Sequence, residues 1–242
     1  MADHEDRALA DIASNLAKLT RMLLDAETVA EVLSRVVAAT TDLVPRTDLV
    51  SVTLRSPDGR FHTPFETEPL AVELDHVQYR AGRGPCVDCA SESGPAYAYS
   101  DDLTTVVEWP EFGRAAADNG MRSVLSTALV PAAPQPGALN IYSREKDAFG
   151  ADERDRALLL ATHASLALAT TSAYQRFELE REQLRTALTT RDVIGQAKGI
   201  LMQRRGMTAD EAFQLLARAS QDLNVKLVDV ATTLTSRHTE LT

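Results

Sequence analysis

The sequence lacks most of the patterns on which enzymes and metal proteins depend. Only two of its 242 residues are cysteines, too few for a disulfide framework in a chain of this length, so a reducing compartment is predicted. The five histidines are scattered and form no His-x-x-x-His pair for a metal centre. Neither a Gly-x-Ser-x-Gly elbow nor a phosphate-binding P-loop occurs. We therefore expect neither catalysis nor a bound metal.

The sequence also has no stretch typical of a signal peptide or a membrane span. Residues 1–15 mix charges of both signs and contain no apolar core. The most apolar stretch, residues 157–173, is interrupted by Thr162, His163 and further polar residues, which is typical of a packed helix. A soluble, cytoplasmic protein without membrane contact is predicted.

Length and charge predict two domains of different character. A chain of 242 residues exceeds one typical domain. The net charge is −10, but residues 183–242 hold 8 basic and 6 acidic residues, a balance of +2, which leaves −12 for residues 1–182. The positive charge is therefore local, and local charge is what a polyanion meets first.

The first 170 residues have the pattern of an α/β domain. Apolar residues at helical spacing predict amphipathic helices over 4–24 and 27–43. Strands are predicted over 48–54, 60–65, 95–99, 121–130 and 137–143, with short helices over 70–79, 85–90 and 109–119. This interleaving indicates a mostly antiparallel sheet flanked by helices.

A long helix is predicted from Asp152 past Leu188, because no glycine or proline lies between Gly150 and Gly195. Its apolar stripe has the spacing of a coiled-coil seam and consists of Leu159, Leu166, Ala173, Phe177, Leu184 and Leu188. Packing against the N-terminal helix is expected to use part of this stripe. The remainder, beyond Gln175, predicts a homodimer.

Residues 191–231 contain three helical patterns with almost no loop between them. Gly206 is expected to end the first helix, a capping box of Thr208 and Glu211 to begin the second, and Asn224 to end it. Gly199 lies inside the first pattern, where a glycine costs about 1 kcal/mol relative to alanine. A neighbouring helix or a ligand is therefore expected to approach the backbone there.

The runs IGQAKGILM, RRGMTADEAFQLL and SQDLNVKLVDVA resemble the ANTAR domain, a three-helix RNA-binding module of bacterial antitermination regulators. The resemblance implies that the domain binds paired RNA hairpins with short terminal loops and needs no cofactor to do so. The RNA-binding residues that it implies are Arg191, Gln196, Lys198, Gly199, Met202, Arg205, Arg218, Asn224 and Lys226.

The segments GRGPCVDC, WPEFG and GMRSVLSTALVP, between an entry helix and a long exit helix, resemble a GAF sensor domain. This resemblance implies that the domain senses a small molecule or a redox state. The side chains expected near the ligand are Cys86, Tyr97, Tyr99 and Trp109. The sequence does not identify the ligand or any cofactor.

The two resemblances support each other, since GAF followed directly by ANTAR is a known pairing in actinobacterial regulators. The predicted fold is an α/β GAF sensor domain, then a long helix, then an all-α three-helix ANTAR domain. The predicted domains are an N-terminal helix (1–24), a GAF domain (25–170), a linker and dimerisation helix (152–188) and an ANTAR domain (183–242). Together they imply a signal-responsive regulator that blocks terminator formation.

Two other functions stay open at this point. Cys86 and Cys89 suit a GAF-fold thiol redox enzyme, because the dipole of a helix that begins at Pro85 favours a thiolate in its first turn. The same cysteines are also explained as small apolar residues that pack a helix against a sheet. The short adjacent helices at the C-terminus fit a helix-turn-helix DNA-binding regulator, although the basic residues concentrate on the first helix.

Overall fold

The computed structural model of the protein describes residues 17–129 and 136–239. The chain divides between Gln175 and Arg176 into two compact units, and each is described by itself. Of the helix predicted over 4–24, residues 17–24 are described and are helical (α1). The earlier part of that helix lies outside the described residues, as does the end of the strand predicted over 121–130.

The first unit contains a five-stranded sheet and the helices that flank it. Its elements after α1 are α2 (Val29–Leu43), β1 (Leu49–Arg55), β2 (Phe61–Glu66), α3 (Pro69–Ala81), α4 (Pro85–Cys89), β3 (Tyr97–Ser100), α5 (Pro110–Asp118), β4 (Ser123–Leu129), β5 (Gly137–Ser143) and the start of α6 (Ala151–Arg205). The strand order is β2-β1-β5-β4-β3, and all neighbours are antiparallel. The predicted antiparallel sheet is confirmed, and β5 has the predicted bounds.

Alternating side chains give the sheet one apolar face and one face on which polar side chains lie beside smaller apolar clusters. On β1, Val50 and Val52 point to the apolar face, where they join the core formed with α2 and α6. Thr53 points to the other face, where its hydroxyl lies 2.9 Å from the Tyr79 hydroxyl of α3. Because both faces are covered, β1 is buried along its length except at Arg55.

The short helix α4 is held by a contact that only glycine permits. Gly84 has a φ of 152°, and a Cβ at this position would lie 2.3 Å from Gln78 Oε1. The same oxygen accepts a hydrogen bond of 2.9 Å from the backbone N–H of Cys86. Pro85 then begins α4, as predicted. Buried Gln78 thereby fixes where the two cysteines meet the polar face of the sheet.

The helix α6 is one continuous element of 55 residues. The long helix predicted past Leu188 and the first helical pattern of residues 191–231 are thus parts of one element. No proline occurs within α6, and Gly195 lowers helix stability without removing a backbone hydrogen bond. Nothing therefore ends the helix before Gly206, which has a φ of +65°.

Part of α6 is apolar enough, by length and composition, to cross a membrane. In this structure 44% of that stretch is buried inside the protein. The buried side chains belong to the apolar core beside the sheet and are Ala157, Leu160, Ala161, Ala164, Ala167 and Leu168. Core packing therefore accounts for the apolar composition of the helix.

The second unit consists of the end of α6 with α7 (Ala209–Leu223) and α8 (Leu227–Thr239). Its core is formed by Ala197, Leu201, Ala212, Leu216 and Ala231. The predicted capping box is confirmed, because Thr208 Oγ1 accepts a hydrogen bond of 3.3 Å from Glu211 N and Thr208 N donates one of 2.8 Å to Glu211 Oε2. Asn224 ends α7 in the left-handed conformation, as predicted.

Replacing the N-cap of α7 should destabilise the second unit. Thr208→Ala removes the side chain that accepts the Glu211 N–H, and loss of such a cap costs about 1 kcal/mol. Amide hydrogen exchange in α7 should therefore become about fivefold faster, since 1.4 kcal/mol corresponds to a factor of ten. Thr208→Ser keeps the accepting oxygen and should restore slow exchange. Equal exchange rates in the alanine and serine variants would show that the cap contributes nothing.

Candidate functional site

Three of the predicted sensor residues line one open cleft in the first unit. The cleft has a volume of about 520 Å³ and lies between residues 97–102, which include β3, and the segment 105–109. Tyr97, Tyr99 and Trp109 are among its lining residues, and Cys86 is not. The structure thus brings the aromatic residues together and places Cys86 elsewhere.

Two contacts connect the aromatic side chains of the cleft to the rest of the unit. The guanidinium carbon of Arg154, in the first turn of α6, lies 4.3 Å from the centre of the Tyr99 ring, which is a cation–π contact. The indole N–H of Trp109 donates a hydrogen bond of 2.9 Å to Asp88 Oδ2 in α4. A ligand in the cleft would therefore meet side chains that are anchored to two helices.

Of the two interpretations left open for Cys86 and Cys89, the structure favours small apolar residues that pack a helix against the sheet, because both are buried thiols. They belong to a small apolar cluster with Val87, Ala90 and Ala138. Cys89 Sγ donates a hydrogen bond of 3.4 Å to the backbone oxygen of Ser126. Burial raises the pKa of Cys86 and raises that of Cys89 to about 12. The loss of hydration outweighs the dipole of the five-residue helix α4, so both groups are neutral thiols near pH 7.

A buried polar network fills the space between the sheet and α3. At its centre, Asp75 accepts hydrogen bonds of 2.7 Å from the Tyr142 hydroxyl and 2.9 Å from the Thr63 hydroxyl. Asn140 extends the network along the sheet by donating to Thr53 Oγ1 at 2.9 Å. Burial raises the pKa of the Asp75 carboxyl to about 6, and the hydrogen bond from Tyr142 opposes this effect.

Sequence analysis does not identify Asp75, because an aspartate within a helical pattern is usually a surface residue. The available signal is the presence of polar residues within the otherwise apolar central strands, namely Ser51, Thr53, Ser126 and Asn140. Buried polar residues are rarely without partners. These residues therefore indicate polar contacts on a covered face of the sheet.

In the second unit, the residues expected to bind RNA lie mostly on the surface. Arg191, Gln196, Gly199, Met202, Arg205, Arg218, Asn224 and Lys226 are exposed, and Lys198 is half-buried. Lys198 follows Ala197, which is fully buried in the core of the unit. Among the described residues, Lys198, Arg205, Arg218 and Lys226 form no salt bridge. Their charge is thus available to an external anion.

The two interior glycines of α6 leave an open strip of helix backbone. A Cβ at Gly195 or at Gly199 would meet no atom of the described residues within 4 Å. A close approach by a neighbouring helix was one of the two expected explanations for Gly199. No described residue makes such an approach. Gly195 and Gly199 are one turn apart, so they lie on the same side of α6.

The middle of α6 has a long stretch without packing partners in the described chain. Every residue in 173–189 is exposed except half-buried Glu178. The predicted seam residues remain largely accessible, with Phe177 60%, Leu184 67% and Leu188 63% exposed. The part of α6 that packs on the sheet uses a different stripe, which includes Ala161 and Ala164. The seam is thus available along its length.

Comparison with known domains places this architecture in a family. The model of the GAF domain matches residues 26–169, which is more than half of the chain, and the protein therefore belongs to the GAF domain family. The model of the ANTAR domain matches residues 182–234. The protein is a GAF–ANTAR regulator, which combines a sensor domain with an RNA-binding domain. A search of curated proteins yields no match.

Solved structures support the fold of the sensor domain. A bacteriophytochrome from R. palustris superimposes with a TM-score of 0.56 at 12% sequence identity, over 86% of this chain and 46% of that one. An N-acylhomoserine-lactone-dependent LuxR-family transcription factor from Burkholderia cenocepacia gives a TM-score of 0.51 at 20% identity, over 67% of this chain and 98% of that one. At these identities the likeness concerns the fold alone.

The buried Asp75 carboxyl should make the stability of the first unit depend on pH. Its folded pKa of about 6 exceeds that of an unfolded aspartate, about 3.9. The folded state therefore binds the proton more tightly than the unfolded state does. The stabilisation that results from this difference is fully present below pH 4 and is lost as the pH rises through 6. The free energy involved is on the order of 3 kcal/mol.

Asp75→Asn should remove this dependence, because an amide does not titrate. Urea denaturation between pH 4.5 and pH 7.5, followed by circular dichroism, should show the variant gaining stability relative to the wild type as the pH rises. Asp42→Asn, at an exposed position of α2, is the matched control and should reproduce the wild-type profile. A constant difference between Asp75→Asn and wild type across this range would contradict the assignment.

Proposed function

We propose that this protein regulates transcription by binding paired RNA hairpins and preventing the formation of a terminator, in response to a signal at its GAF domain. The observation that carries the proposal is the accessible basic surface of the ANTAR domain, around Lys198 and Gly199. The protein acts without catalysis, in the cytoplasm, and needs no cofactor to bind RNA. The neutral, buried thiols argue against the alternative of a thiol redox enzyme.

The surface around Lys198 suits an RNA hairpin loop. The open backbone at Gly195 and Gly199 lets a nucleotide approach α6 closely, and Met202, one turn further on, is 39% exposed and offers an apolar contact. Terminal loops are the favoured target, because their unpaired bases present edges and faces that an A-form groove hides. Arg205 contributes further charge to the same helix.

A homodimer through α6 provides the second RNA-binding domain. The exposed stripe of Leu166, Phe177, Leu184 and Leu188 repeats at the spacing of a coiled-coil seam. A helix of this composition is marginal when it is solvated on all sides, so a second copy of the chain stabilises it. Two linked domains that bind two linked hairpins gain from a high effective concentration.

The signal enters at the cleft beside β3. An effector that contacts the Tyr99 ring competes with the guanidinium of Arg154, which lies 4.3 Å from it. Arg154 is in the first turn of α6, and α6 continues without interruption to Arg205. This connection supports transmission of a change at the cleft along the helix that also carries the dimer seam and the RNA-binding residues.

Lys198→Ala should weaken binding to a two-hairpin RNA. Loss of one charged hydrogen bond costs about 1.5–3 kcal/mol, which corresponds to a dissociation constant roughly 10-fold to 150-fold higher. Binding is measured by fluorescence anisotropy with a labelled RNA of two short hairpins, and helicity by circular dichroism. Arg237→Ala, an exposed basic position beyond residues 182–234, is the control and should bind nearly as well as wild type.

The same assay distinguishes RNA from DNA as the target. A two-hairpin RNA should bind far more tightly than either hairpin alone or a DNA duplex of equal length. If the wild-type protein binds duplex DNA as tightly as the two-hairpin RNA, the antitermination proposal fails and the helix-turn-helix alternative is favoured. Oxidised and effector-treated samples belong in the comparison, because a sensor domain can hold the dimer in an inactive state.

Charged substitutions in the seam should convert the dimer into monomers. Leu166→Glu combined with Phe177→Glu places carboxylates on both sides of a two-fold seam, where like charges repel and lose hydration. Light scattering should then report the mass of one chain. Leu179→Glu is the matched control, because Leu179 is as exposed as Phe177, at 60%, but lies on the opposite side of the helix. A doubly substituted protein that stays dimeric would place the interface elsewhere.

A further inference from the structure

The outer edge of β3 is unpaired and faces the cleft. β3 is the last strand of the sheet, and its partner β4 bonds to it where Ala128 N donates to Ala96 O at 2.9 Å. Hydrogen-bonded pairs alternate along an antiparallel ladder, so the N–H and C=O groups of Tyr97 and Tyr99 point away from β4. No described residue forms a hydrogen bond with these four groups.

The opposite edge of the same sheet is blocked. β2 contains Pro64, which has no N–H to donate, and its pairing with β1 has a register irregularity between Val52 and Leu54. Prolines and bulges are the features by which edge strands resist the addition of another strand. β3 contains no proline and pairs with β4 in an unbroken register. The sheet is therefore protected at one edge and open at the other.

The cleft runs along the whole of β3, whose four residues all line it. Four residues of strand span about 13 Å at ~3.3 Å per residue, and the cleft follows β3 along this length. The segment 105–109 forms its other wall. An extended backbone satisfies alternate donors and acceptors along an open edge, which a compact small molecule does not.

The charges and rings of the cleft favour a basic peptide. Asp101 and Glu108 line it, are exposed, and form no salt bridge with another described residue. Asp102 already bonds to Lys146 at 2.6 Å, which lowers the pKa of Asp102 to about 2. The Tyr99 ring accepts the guanidinium of Arg154, and the neighbouring Tyr97 ring offers a similar surface to an incoming cation.

We propose that the cleft binds an extended peptide with basic side chains, which adds to β3 as a sixth strand. Backbone hydrogen bonds to Tyr97 and Tyr99 provide the affinity, and the carboxylates of Asp101 and Glu108 select for positive charge. This is strand addition at a sheet edge, in which alternate side chains of the peptide set specificity. The proposal rests on the sensing role proposed for the cleft and assigns a chemical class to its effector.

The direct test uses a fluorescein-labelled Val-Arg-Val-Arg-Val-Arg peptide and the full chain, with binding followed by anisotropy. Tyr97→Ala removes the ring but keeps the N–H, whereas Tyr97→Pro removes both at a strand position that tolerates proline. The proline variant should bind about tenfold more weakly than the alanine variant. Equal affinities for the two variants would overturn strand addition.

A modified peptide repeats the test without changing the protein. The same sequence with every backbone nitrogen methylated cannot donate to the ladder from either edge and should bind at least tenfold more weakly. On addition of the unmodified peptide, amide exchange at residues 97–100 should slow. Binding that leaves exchange unchanged at these residues, or that is indifferent to methylation, would show that the peptide lies elsewhere.

The charge requirement is tested by Asp101→Asn combined with Glu108→Gln, which should weaken binding of the arginine peptide about tenfold. Glu73→Gln, at an exposed position of α3, is the control and should leave affinity unchanged. A Val-Glu-Val-Glu-Val-Glu peptide should not bind. If it binds as well as the arginine peptide, the assignment of a basic ligand is wrong.

The RNA assay on the same samples separates this inference from the proposed function. A protein that binds the two-hairpin RNA but not the arginine peptide overturns the inference and leaves the regulator proposal standing. A protein that binds the peptide but not the RNA supports the inference and removes the regulator proposal.

Discussion

The structure depends on the burial of one stripe of α6 in the apolar core beside the sheet. Ala161 and Ala164 of α6 belong to the same buried cluster as Val52 and Ile141 of the sheet. This packing fixes which side of the helix faces the core. It thereby leaves the other side, with Phe177 and its neighbours, to solvent or to a partner. The same helix supplies residues of the RNA-binding domain.

The other face of the sheet is built on a different principle. There, hydrogen bonds among Asp75, Tyr142 and Asn140 accompany two apolar clusters, one that includes Leu74 and one that includes Cys86, and the buried carboxyl costs stability at neutral pH. Replacing buried charged groups with well-packed apolar residues is often neutral or stabilising. Retaining this network limits the choice of side chains on α3 and on four strands at once. The cleft beside β3 lies outside it, so its aromatic and acidic residues are free of that constraint.

The parts of the structure that sequence could predict are those decided by neighbouring residues. Gly206, Thr208 and Asn224 ended and began helices as expected, because caps depend on local backbone chemistry. The position of Tyr97 on an edge strand depends on its pairing with Thr127, thirty residues along the chain. The residues next to Tyr97 in the sequence do not predict this pairing. The choice between a thiolate and a packed thiol at Cys86 stayed open in the sequence for the same reason, since it depends on burial against distant strands as well as on the dipole of its own helix.

The position of Trp109 has a practical consequence for spectroscopy. It is the sole tryptophan of the chain, it lines the cleft, and its indole N–H is bonded to the carboxylate of Asp88. Indole emission is sensitive to hydration and to nearby charge. The protein therefore carries an intrinsic fluorophore at the cleft where an effector is proposed to bind. Its emission can follow events at the cleft in the unlabelled chain, without contribution from a second indole in the RNA-binding domain.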